Sequence, residues 1–362
     1  MSASPTIPKI TEKKTAYFVT ANGYRGFRSY YSEVYKSDAF TRIFVLKGGP
    51  GTGKSRLMQE VAETAKKKGA SVDYVYCSSD PASLDGVIAA LGDKRVAILD
   101  GTAPHTRCAP FPGVVDEIIN LGEFWNPFQL LVDRDKIFEL SKAKSAAFML
   151  AYRYLSVAGT AMESGLATAR EALDKKKLNA FLLRRLKKAS KSTQSESRMI
   201  VDGIGMRGRV HFETMEKRAK TVFSIGSRYG FDYLFFDALR EILKKSDFTY
   251  TLLESPRDRE LFDGIYFEKD GVLLLSDRLS KEKKPAVNPQ RFFFSDLLQK
   301  KKGDIKRMLS TAEEMENQAI NAFKNAGESH FALEEIYISA MDFPKKEAFS
   351  RGICERISYL LS

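Results

Sequence analysis

Apolar positions near the start of the chain alternate between short continuous runs and helical spacing. Ile43–Leu46 is unbroken and begins on a β-branched residue, the pattern of a strand buried on both faces. Gly48–Ser55 interrupts it. Leu57, Val61 and Ala65 then recur at i, i+4 and i+8, which predicts a helix closing at Lys66–Lys68 and Gly69. Val72–Cys77 predicts a second strand, and Val96–Leu99, ending at Asp100, a third. Between these two, Asp80, Pro81 and Ser83 have the character of a turn and cap before a short helix over Leu84–Leu91. Alternation of this kind predicts a doubly wound parallel α/β sheet with right-handed crossovers.

The periodicity becomes helical throughout from Asp133 to Lys191, including a basic amphipathic stretch at Leu178–Lys188. Ser190–Ser197, followed by Gly203, Gly205 and Gly208, predicts a linker or exposed loop. Beyond it the first half repeats. A shift of 178 carries Gly48 to Gly226, Leu57 to Phe235, Val61 to Leu239, Asp80 to Asp258 and Gly86 to Gly264. A shift of 168 carries Ala158–Gly159 to Ala326–Gly327, Asp174 to Asp342 and Lys177 to Lys345. Internal duplication is the expectation. It gives two tandem doubly wound parallel-sheet domains with helical additions, residues 1–200 and 201–362.

Gly48-Gly-Pro-Gly-Thr-Gly-Lys-Ser55 fits GxxxxGK[ST], the P-loop pattern, in full. Gly48, Gly49, Gly51 and Gly53, with Thr52, let successive backbone N–H groups close on phosphate oxygens. The following helix aims its positive end at the same anion. Lys54 would reach the β- and γ-phosphates of a nucleoside triphosphate, and Ser55 would ligate Mg²⁺. Asp100 stands where open α/β sheets bind ligands, and would hold the metal through water. These are the expected catalytic (Lys54, Asp100), nucleotide-binding (Gly48, Gly49, Gly51, Thr52, Gly53, Lys54, Ser55) and metal (Ser55, Asp100) residues, with ATP and Mg²⁺ the expected ligands. Gly101 stands where many ATPases carry a catalytic Glu. Under the 178 shift, Gly53, Lys54 and Ser55 fall on Phe231, Asp232 and Tyr233, so the second loop is expected to be dead.

Several residues keep two readings. His105 is a γ-phosphate sensor or a loop histidine. Asp80 is a general base, a substrate contact or an N-cap. Glu117, in an expected helical run, is a surface residue. Arg25 and Arg28, with Tyr24 and Phe27, hold a base and phosphate or form core and surface. Arg228, Arg257 and Arg259 lie at expected strand ends, where one would serve as an arginine finger or all would be solvated.

Composition adds few constraints. Of 362 residues, 43% are hydrophobic and 29% charged, enough apolar material for two cores. The charge of +12, from 58 Lys+Arg against 46 Asp+Glu, favours polyanions: nucleotides first, then nucleic acid or anionic lipid along the basic helix. Cys77, Cys108 and Cys354 are odd in number and far apart, which argues against a disulfide framework or zinc site. No stretch approaches the ~20 apolar residues of a membrane helix. Met1–Lys14 precedes no apolar leader core. A cytoplasmic protein is the expectation.

With those residues in hand, the chain resembles a sparsely characterised family of bacterial P-loop ATPases, mainly from Gram-positive anaerobes. The resemblance is carried by Gly48–Ser55, Tyr76–Gly86 (YCSSDPASLDG), Ile98–His105 (ILDGTAPH) and Pro112–Trp125, and extends over nearly the whole chain as two P-loop halves. It implies a nucleotide site and no defined substrate. The GGPGxGK form is also similar to nucleotide kinases and AAA-type ATPases. Three functions follow as expectations: an ATPase that couples hydrolysis to a conformational change, a small-molecule or nucleotide kinase, and an ATP-gated binder of nucleic acid or membrane surface.

Overall fold

The computed structural model describes residues 15–104, 107, 109–281 and 285–362. His105 and Cys108 lie outside them. In chain order the first half contains β1 (Thr15–Phe18), a hairpin of β2 (Thr20–Gly23) and β3 (Gly26–Ser29), α1 (Tyr31–Val34), β4 (Arg42–Lys47), α2 (Lys54–Lys67), β5 (Ser71–Tyr76), β6 (Leu84–Leu91), β7 (Lys94–Asp100) and β8 (Asp116–Asn120). Helices α3 (Pro127–Val132), α4 (Arg134–Ala172) and α5 (Lys175–Leu186) follow. The second half runs through β9 (Ser195–Met199), a hairpin of β10 (Asp202–Gly205) and β11 (Gly208–His211), α6 (Thr214–Arg218), β12 (Thr221–Ile225), α7 (Phe231–Leu243), β13 (Thr249–Glu254), β14 (Phe262–Phe267), β15 (Val272–Ser276), α8 (Ser295–Ser339) and α9 (Phe343–Leu360).

The fold is α/β, but its sheets are mixed rather than parallel. The first sheet has the order β1-β5-β6-β7-β4-β8, with β6 antiparallel to both neighbours. The helix expected over Leu84–Leu91 is this strand. A parallel crossover needs a dozen or more residues, and only Cys77–Ser83 separates β5 from β6. Its apolar run, buried over Leu84–Ala89, does not distinguish a central strand from a buried helix by periodicity. Two further expectations are corrected. Ser195–Ser197 of the expected linker belongs to β9, and Glu117 lies in β8 rather than a helix.

The second sheet repeats five strands of the first in the same order, without a counterpart of β8 among its strands. Its order is β9-β13-β14-β15-β12, and β14 is again the antiparallel member. The long helices repeat as well. α4 has 39 residues and α8 has 45, about 58 and 68 Å of helix. They run antiparallel, joined end to end by matched backbone bonds. Asn126 donates to Ala340 O and Phe294 to Ala172 O, while Asp342 donates to Phe124 O and Asp174 to Phe292 O.

The long helices carry the chain from one sheet to the other, so the cores are exchanged. Ile353, Ile357 and Leu361 from the C-terminus pack with Leu57, Met58 and Val61 on the first sheet. Leu178, Phe181 and Leu182 of α5 pack with Phe231, Phe235 and Leu239 on the second. The apolar face of the basic helix is thus covered by α7, with Arg184, Lys187 and Lys188 exposed. The hairpins cross over too: Met206 N–H donates to Ser79 O, and Tyr24 N–H to Arg257 O, each at 2.8 Å.

Candidate anion site at the glycine loop

Strand β4 is buried from Ile43 to Leu46, and the chain leaves it into Gly48–Gly53 before α2 begins at Lys54. Gly48, Gly51 and Gly53 have φ of 142°, 74° and 75°, a backbone that side chains other than glycine rarely adopt. Lys54 Nζ donates to the carbonyls of Gly48 (2.7 Å) and Gly49 (2.8 Å), and stands 3.6 Å from Asp100 Oδ2. Thr52 and Thr102 hydroxyls donate to the same two carbonyls, at 3.0 Å to Gly49 and 2.9 Å to Gly48. The loop carbonyls are thereby turned toward protein donors. Asp100 closes β7 and accepts the Thr102 N–H at 2.7 Å. Ser55 Oγ accepts the Leu84 N–H at 3.0 Å. Lys54, Ser55 and Asp100 are therefore all supplied by the loop, its helix and the adjacent strand end, as their spacing predicts.

The second half roofs this loop, which the sequence does not announce. A Cβ on Gly51 would lie 2.9 Å from the carbonyl of Glu334 in α8, and one on Gly53 would lie 3.3 Å from the Lys346 ammonium in α9. Trp125 covers Gly49 and packs against Tyr337, ring centroids 5.1 Å apart. The Gly51 backbone favours the charged form of the Glu334 carboxylate. Burial, then the nearby charge of Asp80, raises the Glu334 pKa. His330 is one helical turn away. Burial, with Lys144, Lys54 and Arg207 adding to it, pushes its imidazole down to about 4.

Asp80 does not cap a helix, because β6 follows it. Its carboxylate closes the turn on Ala82 N–H (3.2 Å) and pairs with Arg207 from the tip of the β10–β11 hairpin. Arg25 from the other hairpin pairs in the same way with Asp258, at 3.0 Å. Arg28 goes to Glu254 and Ser255 O, so neither N-terminal arginine points to the glycine loop. Arg257 is buried against Glu316 (2.8 Å), Arg228 stacks on Tyr229, and Arg259 lies over Tyr30. Glu117 pairs with Arg356 and ties α9 to the sheet edge. Arg207, His330, Glu334 and Lys346 were not expected at the loop. For Arg207 a signal exists: Gly23-Tyr-Arg-Gly26 recurs as Gly205-Met-Arg-Gly208.

At the matching place in the second half the loop is shorter. Gly101 N–H bonds Leu46 O as Asp277 N–H bonds Ile225 O, both 2.9 Å, and left-handed Gly53 and Gly230 each precede a helix. Leu46 to Gly53 thus becomes Ile225 to Gly230, two residues fewer. The constant shift of 178 fails here. By register Phe231 stands at Lys54, Asp232 at Ser55 and Ser276 at Asp100. Asp232 is fully buried, takes the Ser276 hydroxyl at 2.7 Å, and is paired by Arg278 at 2.6 Å. A guanidinium and a carboxylate fill this place.

Residues 28–93 match the family model described as Nephrocystin 3, N-terminal. The matched stretch runs from β3 to the turn before β7 and contains the glycine loop. It is a minor part of the chain, and does not place it in the bacterial ATPase family that its motifs resemble. No curated protein and no solved structure matches the chain. Among the described residues no helix is long and apolar enough to cross a membrane.

Proposed function

We propose that the chain is a Mg²⁺-dependent nucleoside triphosphatase with one working site at Gly48–Ser55, and that its substrate is ATP. The observation that carries the reading is the glycine loop at the head of α2, with the Lys54 ammonium held on its Gly48 and Gly49 carbonyls and 3.6 Å from Asp100. Backbone N–H groups at the head of a helix, with a buried cation beside them, form an anion site. Ser55 Oγ and the Asp100 carboxylate are an all-oxygen donor set suited to Mg²⁺, and they are the residues that would hold it. The metal would neutralise charge on the β- and γ-oxygens. Lys54 would exchange its two loop carbonyls for phosphate oxygens.

A triphosphate on the loop meets α8, whose Glu334 carbonyl and Ile338 side chain lie against Gly51. Seating one therefore requires α8 to shift, and α8 is rooted in the other half. This supports coupling of nucleotide state to the arrangement of the halves. The turn Cys77–Ser83 is too short to be an acceptor-binding arm, which leaves hydrolysis ahead of transfer to a second substrate.

Calorimetric titration with a non-hydrolysable ATP analogue, paired with a phosphate-release assay, tests the proposal. One site per chain is expected. Lys54→Ala should weaken binding at least about tenfold, the scale of a lost charge-assisted contact. Asp100→Asn should raise the Mg²⁺ concentration needed for turnover more than it weakens nucleotide contact. Unchanged affinity and turnover in Lys54→Ala would reject the site.

A further inference from the structure

We infer that Arg207, carried by the hairpin of the second half, is the cation that completes the triphosphate site of the first half during hydrolysis. The inference rests on the nucleotide reading above and names a residue that the glycine motif does not contain.

Four observations converge on it. Arg207 lies at the tip of β10–β11, where the Met206 N–H is fastened to Ser79 O, so the hairpin is docked on the loop that follows β5. Its guanidinium is paired with Asp80 and stacks 5.2 Å from the ring of Phe331, one helical turn from Glu334. Both Glu334 and His330 feel the charges of Arg207 and Lys54 together. The Arg207 side chain is only 13% exposed, which keeps its charge effective.

The duplicated counterpart makes the argument sharper. Arg25 holds the same hairpin position and makes the same pair, with Asp258. Yet Arg25 is 79% exposed, and the loop on its side is two residues shorter, with Asp232 and Arg278 filling the site. A purely structural role for the hairpin arginines would apply to both. A role toward a triphosphate applies to Arg207 alone.

In the reaction, a water oxygen bonds to the γ-phosphorus while the bond from that phosphorus to the β–γ bridging oxygen breaks. ADP leaves with the electron pair, and both water protons leave with the inorganic phosphate, as H₂PO₄⁻. Arg207 exchanges no proton. Its forked donors replace Asp80 with the γ-phosphoryl oxygens as charge spreads over them.

The test compares wild type, Arg207→Ala, Arg207→Lys and Arg25→Ala in full-length chains. Phosphate release gives kcat and KM. Calorimetry follows a non-hydrolysable ATP analogue and, separately, ADP with Mg²⁺ and aluminium fluoride. Arg207→Ala should lower kcat at least about a hundredfold, in the range of lost arginine fingers. Analogue affinity should change by less than about threefold, and ADP–aluminium fluoride binding should be lost. Arg207→Lys keeps a cation opposite Asp80 and hence the hairpin's seat, so it should fold even if the alanine variant does not. It lacks the fork and should lose about tenfold or more in kcat. Arg25→Ala should leave kcat unchanged. Turnover within about threefold of wild type in Arg207→Ala, undiminished ADP–aluminium fluoride binding, or an equal loss in Arg25→Ala would overturn the assignment. Failure of the nucleotide reading itself shows differently, as a wild-type chain that takes up no ATP analogue, and takes the Arg207 assignment with it.

Discussion

His330 occupies a position in α8 that faces α4, and its half-buried imidazole sits among Lys144, Lys54 and Arg207. Burial disfavours the charged ring and the three cations add to that, which holds its pKa at about 4 against an ordinary 6.5. Between those values the unfolded chain binds the proton and the folded chain does not. Stability contributed by the neutral ring is therefore complete above pH 6.5 and is lost as pH falls through about 4. The full loss is bounded at about 3 kcal/mol. NMR titration of the imidazole resonances should show His330 uncharged down to about pH 4, and its pKa should rise once a triphosphate adds negative charge beside it. A free-chain midpoint near 6.5 would mean that the roof over the glycine loop stands open. At this scale the sequence was informative only where chemistry is contiguous. Lys54 and Ser55 fall in one motif and Asp100 closes the adjacent strand. Glu334, His330 and Arg207 reach the loop through tertiary exchange, and no local pattern encodes that.

The antiparallel pair of α4 and α8 explains why those residues arrive at all. Ala151, Leu155, Ala158, Met162, Gly165, Ala169 and Ala172 alternate at spacings of four and three, as do Ile305, Leu309, Ala312, Glu316, Ala319, Phe323, Ala326, His330 and Leu333. That is a heptad seam, legible in the sequence although general helical periodicity was all that was drawn from it. Its small residues let the helices approach closely, and Ala158, Ala172, Ala312, Ala319 and Ala326 are all fully buried. Glu316 and His330 are its polar members, and Glu316 is buried. Burial alone would raise its pKa, but Arg257, Arg209 and the Tyr24 hydroxyl outweigh that and hold it at about 2. Ala158→Leu adds three carbons to a closed seam and should cost about 1–3 kcal/mol by overpacking, read by urea denaturation. No change in the denaturation midpoint would mean that the seam is loose. Strand β6 was less legible for a different reason: a run buried on both faces carries no alternation, and the shortness of Cys77–Ser83 is what rules out a parallel return.

At the scale of the whole molecule, the repeat in sequence and the bodies in space do not divide the chain at the same place. A repeat is the expectation because matching elements keep their apolar pattern at near-constant offsets, and five strands of each sheet share one order. The exchange was not visible, because Ile353 or Phe181 is equally apolar whichever sheet it covers. Its consequence is that neither half holds its own complement of helices. Cutting the chain after Ala189, between α5 and β9, leaves an N-terminal fragment without α9 and without the β10–β11 hairpin. The fragment would uncover the α9 side of the cluster that Leu57, Met58 and Val61 share with Ile353 and Ile357, and would free Glu117 from Arg356. It would also bare the α5 face of Leu178, Phe181 and Leu182, buried now against α7. Each fully buried large apolar side chain contributes about 1.5–3 kcal/mol, so even partial exposure of these six positions removes a sizeable part of the about 5–15 kcal/mol that holds a typical domain. Residues 1–189 expressed alone should therefore aggregate or show no cooperative thermal transition. Co-expressed with residues 190–362 they should form a one-to-one complex that melts cooperatively and recovers binding of an ATP analogue. A monomeric N-terminal fragment with its own sharp transition and full affinity for the analogue would show that the exchanged helices are dispensable, and with them the coupling of nucleotide state to the arrangement of the halves.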